Sequence, residues 1–262
     1  MTTLTTTSAD GSTIAYETLG SGPPLVLVWG ALGARSSPFT RQMRTELAKS
    51  FTVYDYDRRG RGESGDAKPY SVAREVEDLA AVIAATGGDA YVWATSSGAA
   101  LALEAAASGV PMRKLAAYEP PYMVGDPKDA PEPDYAEKVA ALIAADRRDD
   151  AVKYFMRTVG VPGWMLFVMR LMPFWKDARA VAHTLPYDAA VMGPRFGLPE
   201  ERLRRIAVPT IVLAGGKTTA TLKTAAEAVA RTVQGAEHRI VPGENHGIRP
   251  TALRPVLEDV FR

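Results

Sequence analysis

The chain has 262 residues, 31 Lys and Arg against 30 Asp and Glu, a formal net charge of +1, three histidines and no cysteine. That length suits one large α/β domain with an insertion and is short for two ordinary domains. The neutral balance argues against nucleic acid or an anionic membrane as partner, and the lack of cysteine removes disulfides, thiolate metal sites and cysteine nucleophiles together.

With so few histidines a histidine-only metal centre is not expected, and no metal or cofactor is implied. The start, Met1-Thr2-Thr3-Leu4-Thr5-Thr6-Thr7, has neither the basic segment nor the apolar core of a signal peptide. No apolar run is long enough to span a bilayer, so a cytoplasmic location is expected.

Residues 3–8 and 12–18 read as short strands joined by Ala9-Asp10-Gly11, an antiparallel hairpin at one sheet edge. After the break Gly20-Ser21-Gly22-Pro23-Pro24, residues 25–29 form the continuous apolar run of a strand buried on both faces. It ends at Gly30-Ala31-Leu32-Gly33, a loop suited to bringing backbone N–H groups close to a ligand. Helical spacing over 38–50 leads to a strand over 51–56 and the turn Asp57-Arg58-Arg59-Gly60-Arg61-Gly62-Glu63-Ser64. A basic cluster with glycines can hold a phosphate, but this one lacks the P-loop spacing and its lysine. A structural turn braced by Asp57 and Arg59 is expected instead. A helix over 71–86 stops at Gly87-Gly88.

From Tyr91 an apolar strand runs into Ala94-Thr95-Ser96-Ser97-Gly98 and then into an alanine-rich helix. With Ala94 in the first glycine slot the pattern is G-x-S-x-G, the make-up of a nucleophile elbow, which lifts one serine hydroxyl above the sheet. Small residues two before and two after Ser96 let strand and helix approach, and the helix start aims free N–H groups at the space above it. The competing reading is a serine-rich loop that caps a helix. A strand over 114–118 ends in Glu119-Pro120-Pro121. Alternating strands and helices imply a largely parallel, doubly covered sheet with sites at the strands' carboxyl ends, where Gly30, Asp57, Ser96 and Glu119 all fall.

Between 122 and 199 the alternation stops. A polar, proline-broken linker over 126–134 precedes helices over 135–145 and 149–159, then Trp164-Met165-Leu166-Phe167-Val168-Met169. Most of the methionines and nearly half of the aromatics fall in this segment. Such residues in helices are usually core, but their density beside the presumed site favours an apolar lid, with Trp164, Phe167 and Met192 as substrate contacts. The sheet resumes over 208–214, followed by a helix over 219–233, a strand over 237–241, Pro242-Gly243-Glu244-Asn245-His246-Gly247 and a helix over 250–262.

The chain resembles an α/β-hydrolase-fold protein with a helical cap. The resemblance rests on the elbow, the Asp57–Ser64 turn, the Gly30-Ala31 loop and Pro242-Gly243-Glu244-Asn245-His246, all in family order. It implies an α/β fold with a mostly parallel eight-stranded sheet, a core over 1–121 and 200–262, and a cap over 122–199. Carried over, Ser96 is the nucleophile and His246 its general base and later acid, with the Ser97 and Ala31 N–H groups as the oxyanion hole. Relatives usually carry the third triad member after the penultimate strand. Here that loop, Ala214-Gly215-Gly216-Lys217-Thr218-Thr219-Ala220, has no carboxylate, so Glu119, one strand earlier, is expected, with Asp188 in reserve. Trp29 stands where relatives usually carry histidine, which suggests an aromatic wall to the site. His183 in the cap is a possible substrate contact, and His238 in the last strand reads as structural.

The leading expectation is a serine hydrolase acting on an ester, thioester or lactone of an apolar small molecule, as a monomer or homodimer. A non-hydrolytic enzyme on the same scaffold, a cyclase, lyase or isomerase, is the alternative. A binding module leaves the Ser96 and His246 pairing unexplained, and a haloalkane dehalogenase needs a carboxylate nucleophile.

Overall fold

The computed structural model of the chain describes residues 2–126, 128 and 130–262. Met1, and Pro127 and Asp129 of the expected 126–134 linker, lie outside the described residues. One eight-stranded sheet runs in the order β1-β2-β4-β3-β5-β6-β7-β8. Its strands are β1 (Leu4–Thr7), β2 (Thr13–Leu19), β3 (Pro24–Val28), β4 (Thr52–Tyr56), β5 (Tyr91–Thr95), β6 (Lys114–Tyr118), β7 (Thr210–Gly215) and β8 (Glu237–Val241). The edge hairpin β1/β2 and its junction β2/β4 are antiparallel, and every other pairing is parallel. This is the parallel, doubly covered sheet expected from the apolar runs and the α/β-hydrolase fold that the resemblance implied.

Side chains alternate across the sheet, as the two-residue period of a strand requires. Val26, Val28, Val92 and Ala94 face α2 (Val72–Ala85), α3 (Ser97–Ala107) and α10 (Ala220–Thr232). Leu25, Leu27, Tyr91 and Trp93 face α1 (Pro38–Leu47) and α11 (Pro250–Val260) on the other side. Buried on both faces, β3 and β5 have no polar alternation, which is why they read as unbroken apolar runs.

The Asp57–Ser64 turn is a structural brace. Asp57 accepts from the Arg35 backbone N–H and Nε, both at 2.9 Å, and from the Glu63 N–H at 3.2 Å. Gly62 has φ +51°, and a Cβ there would lie 2.1 Å from Asp57 Oδ2, so only glycine fits. Arg59 forks onto Asp78, with two bonds of 2.8 Å, and reaches Asp10 at 2.8 Å.

Between β6 and β7 the chain is helical: α4 (Tyr135–Ala144), α5 (Arg148–Thr158), α6 (Gly163–Met169), α7 (Pro173–Val181) and α8 (Leu185–Met192), then the short α9 (Glu200–Leu203). The excursion closes on itself where Met123 and Gly197 form a parallel bridge and the Met123 N–H donates to the Phe196 carbonyl at 2.7 Å. Among the described residues no helix is long and apolar enough to cross a membrane.

Candidate active site

The carboxyl ends of β3, β5, β6, β7 and β8 lie side by side, so residues more than 200 positions apart in sequence meet at one rim. Ser96 ends β5 with φ 56° and ψ −132°, outside the ordinary regions for a side-chain-bearing residue. Such a conformation costs about 1–3 kcal/mol and persists only when its surroundings over-determine it. They do so here. The Ser96 N–H donates to the Tyr118 carbonyl at 3.0 Å, and the Ser96 carbonyl accepts from Ala99 at 2.9 Å, which starts α3. A Cβ on Gly98 would lie 2.5 Å from the Val28 carbonyl oxygen, so this glycine is what lets α3 abut the end of β3.

The loop after β3 passes directly over the elbow. A Cβ on Gly30 would stand 2.7 Å from Ser96 Cβ and 3.3 Å from its Oγ, so Gly30, the residue before Ala31, lies against the hydroxyl. The Ser97 N–H opens α3, where the first amides have no intrahelical acceptor and the helix dipole favours negative charge. Among the described residues, neither the Ala31 nor the Ser97 N–H has an acceptor within the chain.

Glu119 follows β6, also at positive φ (47°), and is fully buried. Its Oε1 accepts the Gly215 N–H at 2.7 Å, and its Oε2 accepts the Thr218 hydroxyl at 3.1 Å and faces His246 Nδ1 at 2.6 Å. A carboxylate only accepts, so Nδ1 is the donor in this contact, and in a neutral imidazole that tautomer leaves the lone pair on Nε2. The His246 side chain is 45% exposed, and neither its Nε2 nor the Ser96 hydroxyl has a hydrogen-bond partner among the described residues. Catalytic hydrogen bonds often tighten only when substrate is bound.

The loop bearing His246 is anchored on both sides. Tyr118 donates its hydroxyl to the Asn245 carbonyl, Lys217 donates its N–H to the Glu244 carbonyl at 2.7 Å, and buried Glu244 accepts the Arg249 N–H at 2.9 Å. A Cβ on Gly215 would meet the Glu244 carbonyl oxygen at 2.5 Å, so that glycine permits the close packing of the two loops. Sequence reasoning missed the donors Gly215 and Thr218, although they lie in the loop that it noted for lacking a carboxylate.

Two expected residues, Asp188 and Trp29, are engaged elsewhere. Asp188 does not face His246. It is buried against Arg58 Nη1 (2.7 Å), Arg61 Nη2 (2.8 Å) and Ser97 Oγ (2.8 Å). Burial alone raises its pKa, but these cations and the hydroxyl hold it below the usual carboxylate value. The Trp29 indole points away from the rim into the core, donating to Asp55 at 2.7 Å and packing edge-on against Trp93, because it continues the face of Leu25 and Leu27. Trp164 and Phe167 are 69% and 67% exposed. Phe167 borders a shallow recess with Asp149, Arg170, Leu171, Trp175 and Arg179, made of insertion residues alone. Met192 is buried in the packed core. Among the described residues, half-buried His183 has no partner for Nδ1, and His238 on β8 likewise has none for its buried Nε2. Among the described residues, no group of three or more His, Cys, Asp or Glu is arranged to hold a metal ion.

Residues 25–257 match the sequence profile of the alpha/beta hydrolase family. The chain belongs to this family. A crystal structure of an alpha/beta hydrolase from Sphaerobacter thermophilus DSM 20745 is 47% identical and superposes with a TM-score of 0.92 over 99% of this chain and 100% of that one. A hydrolase from Pseudomonas aeruginosa PA01, 23% identical, shares the fold with a TM-score of 0.77 over 99% of this chain and 98% of the other. "Uncharacterized hydrolase YraK" of Bacillus subtilis (strain 168) is 36% identical over 103 residues, 38% of this chain, and the match spans only 37% of that protein's length.

Proposed function

We propose that this hydrolase-family enzyme is a serine hydrolase that cleaves an ester, thioester or lactone through an acyl-enzyme on Ser96. The observation that carries the reading is the 2.6 Å contact of His246 Nδ1 with buried Glu119, at the rim where Ser96 is held in a strained elbow. Nε2, left with its lone pair, takes the Ser96 proton as Oγ attacks the carbonyl carbon, and Glu119 stabilises the imidazolium that forms. The Ser97 and Ala31 N–H groups receive the oxyanion, each contributing about 3 kcal/mol in the transition state. His246 then protonates the leaving group, and water, activated by the same imidazole, releases the acid.

The methionine- and aromatic-rich insertion over 122–199 supports a cap over this site and a substrate with an apolar acyl or ring portion. The neutral charge balance supports a small-molecule substrate acted on away from nucleic acid and membrane; the enzyme is read as a cytoplasmic monomer or homodimer. The test is stopped-flow hydrolysis of p-nitrophenyl acyl esters from acetate to octanoate. The reading expects a burst of p-nitrophenol stoichiometric with enzyme, favouring the longer acyl chains and absent in Ser96→Ala. Ester hydrolysis that survives Ser96→Ala contradicts it.

A further inference from the structure

A cluster of buried charges lies behind the elbow. Arg58, Arg61, Glu75 and Asp188 are nearly inaccessible to solvent. Arg58 forks onto Glu75 at 2.7 and 2.9 Å and donates to Asp188 Oδ1 at 2.7 Å and to the Trp29 carbonyl at 3.3 Å. Arg61 donates to Asp188 Oδ2 at 2.8 Å, to the carbonyls of Gly30 at 2.6 Å and Gly33 at 3.2 Å, and to the Thr184 hydroxyl at 3.1 Å. The second acceptor lobe of Asp188 Oδ1 takes the Ser97 hydroxyl at 2.8 Å.

One carboxylate from α8 of the insertion thus holds both backbone segments beside Ser96. It reaches the start of α3 directly, through Ser97, and the Gly30 loop through Arg61. A charge-balanced buried cluster of this kind adds little stability over a packed apolar one, since desolvation offsets most of the attraction. What it supplies is fixed direction, because each Arg fork sets an angle as well as a distance.

We propose that Asp188 is a positioning residue for the Ser96 site: it sets the Ser97 and Ala31 amides at the spacing an oxyanion needs, so that the site is complete only when α8 is seated. The proposal rests on the serine-hydrolase reading. It differs from a role for Asp188 in the triad, since its oxygens are all committed to Arg58, Arg61 and Ser97.

The test compares Asp188→Asn and Ser97→Ala with the native chain by kcat, KM and inhibition by butylboronic acid, which forms a tetrahedral adduct on an active serine. Asp188→Asn is expected to lower kcat about 10- to 100-fold with KM within about threefold, and to weaken the boronate in proportion, as loss of transition-state binding requires. Ser97→Ala, which cuts only the direct tie, is expected to lose about 5- to 10-fold in the same pattern, and the double variant no more than Asp188→Asn alone. A structural role predicts a lower melting temperature with kcat and boronate affinity per folded molecule unchanged, and that result overturns the proposal. Should Asp188→Asn fail to fold, Ser97→Ala decides alone: native kcat and boronate affinity there refute the proposal. If Ser96→Ala retains native turnover, the underlying hydrolase reading falls; if Ser96→Ala is inactive while both Asp188→Asn and Ser97→Ala are native-like, only the positioning role falls.

Discussion

Replacing Glu119 by glutamine changes one atom, and its effect follows from the donors around it. The buried carboxylate faces the Gly215 N–H on one oxygen and both the Thr218 hydroxyl and His246 Nδ1 on the other. A glutamine carbonyl turned to Gly215 leaves its NH2 group facing His246, so Nδ1 must accept and the imidazole proton moves to Nε2. That tautomer cannot take a proton from Ser96. The opposite flip keeps the productive tautomer but sets two buried N–H groups face to face, at about 1–3 kcal/mol. At 1.36 kcal/mol per factor of ten, the productive form falls to roughly one part in 10 to 100. The neutral amide also forfeits the charge-assisted bond to the imidazolium, about 1.5–3 kcal/mol. Together, at about 2.5–6 kcal/mol, these predict a loss of about 10²–10⁴ in kcat with KM little changed, the upper end being the loss known for neutralising the acid of a serine triad. The assay is steady-state hydrolysis of p-nitrophenyl butyrate from pH 6 to 9, with melting curves to show that the variant is folded. A folded Glu119→Gln enzyme within threefold of native kcat refutes the assignment of Glu119.

Three further outcomes test the geometry. Gly98→Ala forces a methyl to 2.5 and 2.6 Å from the Val28 and Trp29 carbonyl oxygens, and overpacking against backbone costs about 1–3 kcal/mol or more; an unchanged melting temperature contradicts that close approach. Trp29→Phe strips fully buried Asp55 of a 2.7 Å donor, so stability should fall by about 1–3 kcal/mol while KM stays within threefold. A tenfold change in KM instead puts the indole against the substrate. Asp10 is held well below the ordinary aspartate pKa, chiefly by its bond to Arg59 and then by the Ser12 N–H. As pH falls through about 4 the unfolded chain therefore takes up this proton first, and stability that is complete above that pH is lost in stronger acid. The gap in melting temperature between the native chain and Asp10→Asn should be widest near neutrality and shrink below pH 4; a gap constant from pH 7 to pH 3 contradicts the argument.

The sheet was legible because β3 and β5 are buried on both faces, and only apolar side chains survive there. The turn at Ser96 was legible because it admits only small neighbours, and the place of Glu119 at a strand end was readable too, whereas the role of each comes from the family resemblance alone. The direction of Trp29 was in principle readable too, since alternation carries the face of Leu25 and Leu27 one step further. The family pattern, by contrast, suggests the wall of the site for that position. Trp164 and Phe167 could not be oriented, because α6, Gly-Trp-Met-Leu-Phe-Val-Met, has no polar face from which to read an amphipathic direction. Asp188 meets Arg58 and Arg61 across more than a hundred residues of chain, and such a pairing leaves no local trace in composition or spacing.

The most direct measurement of whether Ser96 is an activated nucleophile is intact-protein and peptide mass spectrometry after exposure to a fluorophosphonate. A single adduct on the peptide containing Ser96, absent in Ser96→Ala and slowed by orders of magnitude in His246→Ala, is the predicted result. No adduct on the native chain, or one that persists undiminished in Ser96→Ala, contradicts it.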